Sequence, residues 1–126
     1  MSTPYTSFTE FWPFYVCEHS KATTRRWHFF GTATLFPLLI LSVTYSFYLL
    51  LLLPLSGYGF AWYSHYFVEK NRPATFSYPL WSLLGDFKMF GLMCRRKMDA
   101  EVLRCENIMI GKTLEDITLE EDIDGM

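Results

Sequence analysis

Charged positions stop at Arg26 and do not resume until Glu69, leaving 42 consecutive residues, Trp27–Val68, without a formal charge. Within that stretch the apolar residues do not keep to one stripe, as they would on a soluble core helix, but surround the helix on nearly every side. As a single straight helix it would reach about 63 Å, against a hydrocarbon core of about 30 Å. The pattern therefore predicts a helical hairpin in a membrane. The reversal is expected at the polar patch Ser42-Val43-Thr44-Tyr45-Ser46. The first span is read as roughly Phe29–Val43, with Pro37 inside it, and the second as roughly Phe47–Tyr66, with Pro54 in its first third. Both are short for a crossing, so a re-entrant hairpin that only enters the bilayer is the alternative.

The flanking segments carry helical patterns of a different kind. Ser7-Phe8-Thr9-Glu10 has the form of a capping box. Phe8, Phe11, Trp12, Tyr15 and Val16 then follow at helical spacing, with His19 on the same face. An aromatic helix of this sort is expected to lie in the membrane interface. After the hairpin, Asn71-Arg72-Pro73 and Pro79 interrupt the chain, and a further helix is predicted from Leu80 to about Met98. Its apolar stripe is Leu80, Leu83, Leu84 and Phe87, and it ends on the basic run Arg95-Arg96-Lys97. Thr113–Met126 has six acidic residues and no basic one, and reads as a disordered, solvated tail with a short helical start near Asp99–Asn107. The expected organisation is a membrane-embedded domain at 1–98 and a charged cytosolic tail at 99–126. The fold class is all-α integral membrane.

Overall composition adds little. Net charge is −2, and residues are 51% apolar and 19% aromatic, so only the placement of the charges separates this chain from a globular domain. That placement sets the orientation. Lys21, Arg25 and Arg26 precede the hairpin, Lys70 and Arg72 follow it, and its reversal has no basic residue. Both termini are therefore expected in the cytosol. The three cysteines, Cys17, Cys94 and Cys105, form no paired motif and are expected to be free thiols on the reducing side. Nothing supports a nucleotide-binding loop, a nucleophile elbow or a nucleic-acid partner.

Chemistry concentrates in the three histidines. His28 opens the first span and His65 closes the second, so a hairpin returns them to similar depth although 37 residues apart. An interruption at Ser20–Thr24, with Thr23 or Thr24 as a new N-cap, would let His19 fold back towards them. Glu69 stands at i+4 from His65. Three imidazoles and a carboxylate suit Zn²⁺ or non-haem Fe(II). The same residues can instead be interfacial anchors and a simple i, i+4 pair.

Two runs carry a resemblance. Glu18-His19-Ser20 followed by Arg25-Arg26-Trp27-His28-Phe29-Phe30-Gly31-Thr32 is one; Gly57-Tyr58-Gly59-Phe60-Ala61-Trp62, His65 and Glu69-Lys70-Asn71-Arg72-Pro73-Ala74-Thr75-Phe76 is the other. Tyr78-Pro79-Leu80-Trp81-Ser82-Leu83 and Gly85-Asp86 continue it. Over roughly Phe8–Met93 the chain resembles the DUF962, or Mpo1-like, family, in its shorter branch. The resemblance implies an endoplasmic-reticulum membrane Fe(II)-dependent dioxygenase that shortens 2-hydroxy fatty acids by one carbon. It implies iron ligands at His19, His28 and His65. Many relatives carry Asn where Thr24 stands, so Thr24, like Glu69, is a candidate to support the site or to ligate.

Under the enzyme reading, Arg26 and Arg72 would pair with the substrate carboxylate, and Phe29, Phe30, Trp62 and Phe67 would line the acyl chain. The competing reading is a non-catalytic membrane protein for lipid contact or assembly, whose acidic tail recruits a protein partner.

Overall fold

The computed structural model describes residues 5–125, so the first four residues of the expected 1–98 domain and Met126 of the expected tail lie outside the described residues. Among the described residues every regular element is helical. Helix α1 is Phe8–Cys17, α2 is Ala22–Thr44, α3 is Leu52–Ser64, α4 is Pro79–Cys94 and α5 is Met98–Asp124. A 3₁₀ segment, Phe47–Leu51, leads into α3, and a π-helical turn, His65–Glu69, leaves it. A short 3₁₀ turn, Ala74–Phe76, precedes α4.

The hairpin is α2 against the 3₁₀ segment and α3, reversing at Tyr45–Ser46 as the polar patch predicts. Pro54 falls in the first turn of α3, where its missing N–H has no partner to lose. Gly31 lets the two arms touch: a Cβ there would lie 3.1 Å from the Ser56 carbonyl oxygen and 3.2 Å from the Phe60 Cβ. Beside it, the Thr34 and Ser56 hydroxyls hydrogen-bond across the arms. Among the described residues, Ala22–Thr44 is the one helix long and apolar enough to cross a membrane. Phe36, Ile40, Val43, Phe47, Leu51 and Leu55 remain exposed on the hairpin.

The remaining helices differ from expectation in three respects. Helix α1 does begin on Ser7, whose Oγ accepts from the Glu10 N–H at 3.2 Å, but the Glu10 carboxylate accepts from Thr6 rather than closing a capping box. Its aromatic face does not lie in an interface. Phe11, Trp12, Tyr15 and Val16 are buried, packed with Met89 of α4 and with Met98, Val102 and Cys105 of α5. Those three α5 residues recur at i, i+4 and i+7, one stripe that an acidic composition conceals.

For the same reason α5 runs as one helix of 27 residues instead of fading into a disordered tail. Trp12 anchors it, donating Nε1–H to Glu101 at 2.8 Å. From Gly111 to Gly125 its side chains are exposed, so that part is solvated as expected, though helical. Finally, α4 stops at Cys94, short of the predicted Met98, because Arg96 takes a left-handed conformation with φ 58° and turns the chain into α5. All three cysteines are free.

Candidate metal centre

Three chain reversals bring the histidines together. Helix α1 ends at Cys17 and α2 starts after four intervening residues, so His19 sits in the corner between them. The N-cap of α2 is Lys21, not Thr23 or Thr24, and Lys21 makes no side-chain cap. Glu69 takes that role from across the hairpin, accepting from the Lys21 backbone N–H and from the Ser20 hydroxyl at 3.0 Å. A carboxylate there is favoured by the positive end of the helix dipole. Glu69 is thus placed on the α2 N-terminus and makes no bond to His65. Arg25, buried, clasps the corner from within, donating Nη1–H to the carbonyls of His19 and Ser20, both at 2.8 Å.

His28 is nearly two turns into α2, and His65 starts the π turn that ends α3. The π turn closes when Lys70 adopts φ 63° and the Asn71 N–H bonds back to the His65 carbonyl at 2.9 Å. That return carries the Asn71 side chain to the histidine. Its Oδ1 accepts from His65 Nδ1 at 2.7 Å, and its Nδ2 donates to the Glu18 carbonyl at 2.9 Å and to the Glu18 carboxylate at 2.8 Å. One amide therefore ties His65 to the end of α1.

The other two rings are held in the same way. His19 Nδ1 donates to the Tyr15 carbonyl at 2.6 Å. His28 Nδ1 donates to the Thr24 carbonyl at 3.0 Å, with the Ser64 hydroxyl at 3.2 Å as a second acceptor. With all three Nδ1 atoms donating, all three Nε2 atoms carry lone pairs. They face one another: Nε2 of His19 is 3.0 Å from that of His28 and 3.1 Å from that of His65. All three rings are buried. Burial, and then the two neighbouring imidazoles, hold His19 well below the ordinary histidine range, so it is neutral at pH 7.

Lone pairs 3 Å apart in a dry pocket repel unless a cation lies between them. Two imidazole nitrogens bound to one ion at about 2.0–2.1 Å stand roughly 2.8–3.4 Å apart for angles from square to tetrahedral. Both separations from His19 fit a shared metal, the three ligand atoms all lie within 4.8 Å of one another, and this is the one such cluster among the described residues. Each ring also has the outer acceptor that metal-bound histidines use to fix tautomer and orientation. Replacing Asn71 with Leu, which removes one such acceptor, is expected to weaken metal binding about 10–100-fold. Asn71→Asp, which keeps an acceptor at that point, should lose less; a metal titration of the two variants gives the comparison.

The centre opens on a chamber of only about 10 Å³, lined by Tyr15, Trp62, Pro73, Ser82 and Asp86 besides the histidines. That is room for one ion or water. Trp62 Nε1–H and the Ser82 hydroxyl are buried in its wall without partners, a rare condition for polar atoms, so both are free to meet an incoming oxygen. Asp86 accepts a hydrogen bond from the Tyr15 hydroxyl. Burial pushes its carboxyl up to about 7, against the opposing pull of that bond.

The other candidate residues lie elsewhere. The Thr24 carbonyl serves His28, while its hydroxyl is buried without a partner. Arg26 is exposed beside Arg96 and Met93, and Arg72 sits 5.0 Å above the Phe76 ring; neither lines the chamber. Phe29 stacks on Phe90 at 4.9 Å, and Phe30 and Phe67 are 58% and 64% exposed, so of the four expected acyl contacts the chamber takes only Trp62. Asn71, Arg25 and Asp86 were not singled out by spacing. The one signal they gave was their position in the motifs, Arg25 and Asn71 inside the two long runs and Asp86 in the segment that continues them.

No curated protein and no solved structure matches the chain. A family profile does, described as "2-hydroxy-palmitic acid dioxygenase Mpo1-like" and covering residues 5–98, which include all three histidines and every residue that holds them. With about three quarters of its length matched, the chain belongs to the Mpo1-like family.

Proposed function

We propose that the three histidines hold Fe(II) at the cytosolic rim of a membrane and that the protein is a dioxygenase shortening 2-hydroxy fatty acids by one carbon. The observation that carries this reading is the convergence of three Nε2 lone pairs with every Nδ1 already committed to an oxygen acceptor. Neutral imidazole ligands with positions left open are a donor set used by non-haem iron. The family description supplies the substrate class. Iron in the centre would supply oxygen activation and oxidative cleavage of the C1–C2 bond. Overall, hydroxy acid plus O₂ balances as an acid one carbon shorter, CO₂ and water.

The chain's own groups have defined tasks in this reading. Trp62 Nε1–H and the Ser82 hydroxyl, without partners in the chamber wall, are the donors available to the substrate's carboxylate or 2-hydroxyl oxygens, for which the chamber has to widen beyond a single ion. Arg25, Asn71 and the Tyr15 carbonyl keep the rings fixed while that happens. Trp62, Pro73 and Ala74 keep bulk water away.

The hairpin supports a membrane setting. Helix α2, at 23 residues, is about 35 Å long, and the five 3₁₀ residues plus the 13 of α3 add to about 30 Å, close to the hydrocarbon thickness. Lys21, Arg26, Lys70 and Arg72 lie in the segments flanking the hairpin at its histidine end, which supports a cytosolic placement of that end. The family resemblance points to the endoplasmic reticulum.

The test is protein purified without oxygen, loaded with Fe(II) and given a 2-hydroxy fatty acid. Consumption of one O₂ per hydroxy acid lost, with release of the acid one carbon shorter, is the expected result. Stoichiometric zinc, or bound iron with no O₂ uptake, would overturn the assignment.

A further inference from the structure

We propose that the acyl tail of the substrate lies in an apolar cleft between α2, α3 and α4, entered from the histidine chamber past Asp86. This rests on the hydroxy-acid reading above and assigns the tail a place within it. The chamber, at about 10 Å³, holds an ion and little else, so a fatty tail has to lie outside it. The cleft has a volume of about 330 Å³, within the range of small-molecule sites, and its lining is apolar apart from Thr32, Tyr58 and Asp86.

Continuity between chamber and cleft is what selects this place. Asp86 lines both. On α2 the cleft residues Thr32, Leu35 and Leu39 are at i+4, i+7 and i+11 from His28, so they continue the face that presents the ligand. On α3, Tyr58 of the cleft packs on Trp62 of the chamber with ring centroids 5.5 Å apart. A tail starting at the histidines and following these faces would run about 16 Å along α2 to Leu39. The polar groups sit at the chamber end, and Leu39 and Leu53 at the other. This is the polarity of a fatty acid whose head is at the metal.

A second apolar cleft, between Trp27, Leu52 and Phe60, lies on the opposite side of the hairpin and shares no residue with the chamber. It serves as the control surface.

Gly57 is the place to block the proposed site. A Cβ there meets only the Leu35 methyl carbons, at 3.7 and 3.9 Å, so Gly57→Phe can point into the cleft without shifting backbone. Leu39→Trp blocks it further from the metal and carries the test if Gly57→Phe fails to hold its metal. Gly59→Phe enters the opposite cleft. Binding of 2-hydroxy acids of graded length is measured in lipid nanodiscs without O₂, with metal content followed alongside. Wild-type affinity is expected to rise with length, about fourfold per methylene buried. Gly57→Phe should match wild type for short acids and lose the gain for long ones. Leu39→Trp should cut in at a greater length, and Gly59→Phe should leave the profile alone.

Identical length profiles in wild type and both blocked variants would overturn the cleft, as would a wild type whose binding ignores tail length because bilayer lipids hold the site. Length-dependent binding shifted by the two blocks, but without O₂-dependent turnover, would remove the dioxygenase reading and leave the cleft as an acyl site. Turnover whose length preference neither block moves would do the reverse.

Discussion

His65→Ala protein is expected to keep its helices and to bind metal more than about 100-fold more weakly, with oxygen-dependent turnover lost. The lower bound comes from the effect of removing outer-sphere partners, which alone costs about 10–100-fold; losing a ligand atom must exceed it. The fold should survive because the main helix contacts lie away from the ring, which meets His19, His28 and Asn71. The hairpin is closed at Gly31, Ser56 and Phe60, and the α1–α4–α5 core is built from Phe11, Trp12, Tyr15, Met89 and Met98. The variant does strand the Asn71 Oδ1 that His65 satisfied, although Asn71 keeps both of its bonds to Glu18. Circular dichroism and metal analysis on the same sample separate the two effects. Wild-type metal stoichiometry in this variant would remove His65 from the centre.

Gly85→Ala is expected to have the second-largest effect, from a single methyl group. A Cβ at Gly85 would lie 2.9, 3.0 and 3.1 Å from the Cε2, Cδ2 and Cζ atoms of Tyr15. That ring cannot step aside: it is 1% exposed, stacks on Trp12 and bonds to Asp86. Overpacking of this kind costs about 1–3 kcal/mol, a fall of several degrees in melting temperature for a chain of this size. The damage should also reach the metal, because the carbonyl of the same Tyr15 orients His19. Lower Tm together with weaker metal binding is the expected pair of results. An unchanged Tm would contradict the packing described for α1 on α4. Gly111→Ala is the natural control, with nothing within 4 Å of its Cβ position, and should stabilise α5 slightly through helix propensity.

How much of this was legible in the chain differs from residue to residue. The meeting of His28 and His65 follows from one long uncharged stretch, since a hairpin must return its ends to the same side. Even the fold-back of His19 could be anticipated from the polar residues after it. The role given to Glu69 could not be sustained, for a local reason. The i+4 rule assumes an α-helix, and the chain leaves α3 through a π turn, which swings Glu69 to the α2 N-terminus and brings Asn71 to His65 instead.

Helix α1 was ambiguous by nature, because the same aromatic face suits a membrane interface and a protein core. What decided it was α5, whose contribution of Met98, Val102 and Cys105 is diluted by the charged residues between them. Exposure cannot be read from spacing. Of two adjacent residues, Arg25 turns inwards to the His19 carbonyl and Arg26 outwards to solvent.

The three converging Nε2 lone pairs have a consequence for the life of the protein in a cell. The arrangement exists only in the folded chain, so an ion bound there adds to folding free energy and gives the unfolded chain nothing. At a free ion concentration about 100 times the dissociation constant, that contribution is about 2.7 kcal/mol, a large part of a typical stability margin. Protein made under metal scarcity would then be more open to unfolding and proteolysis. Its abundance would follow the supply of the ion even with the gene expressed at a constant rate.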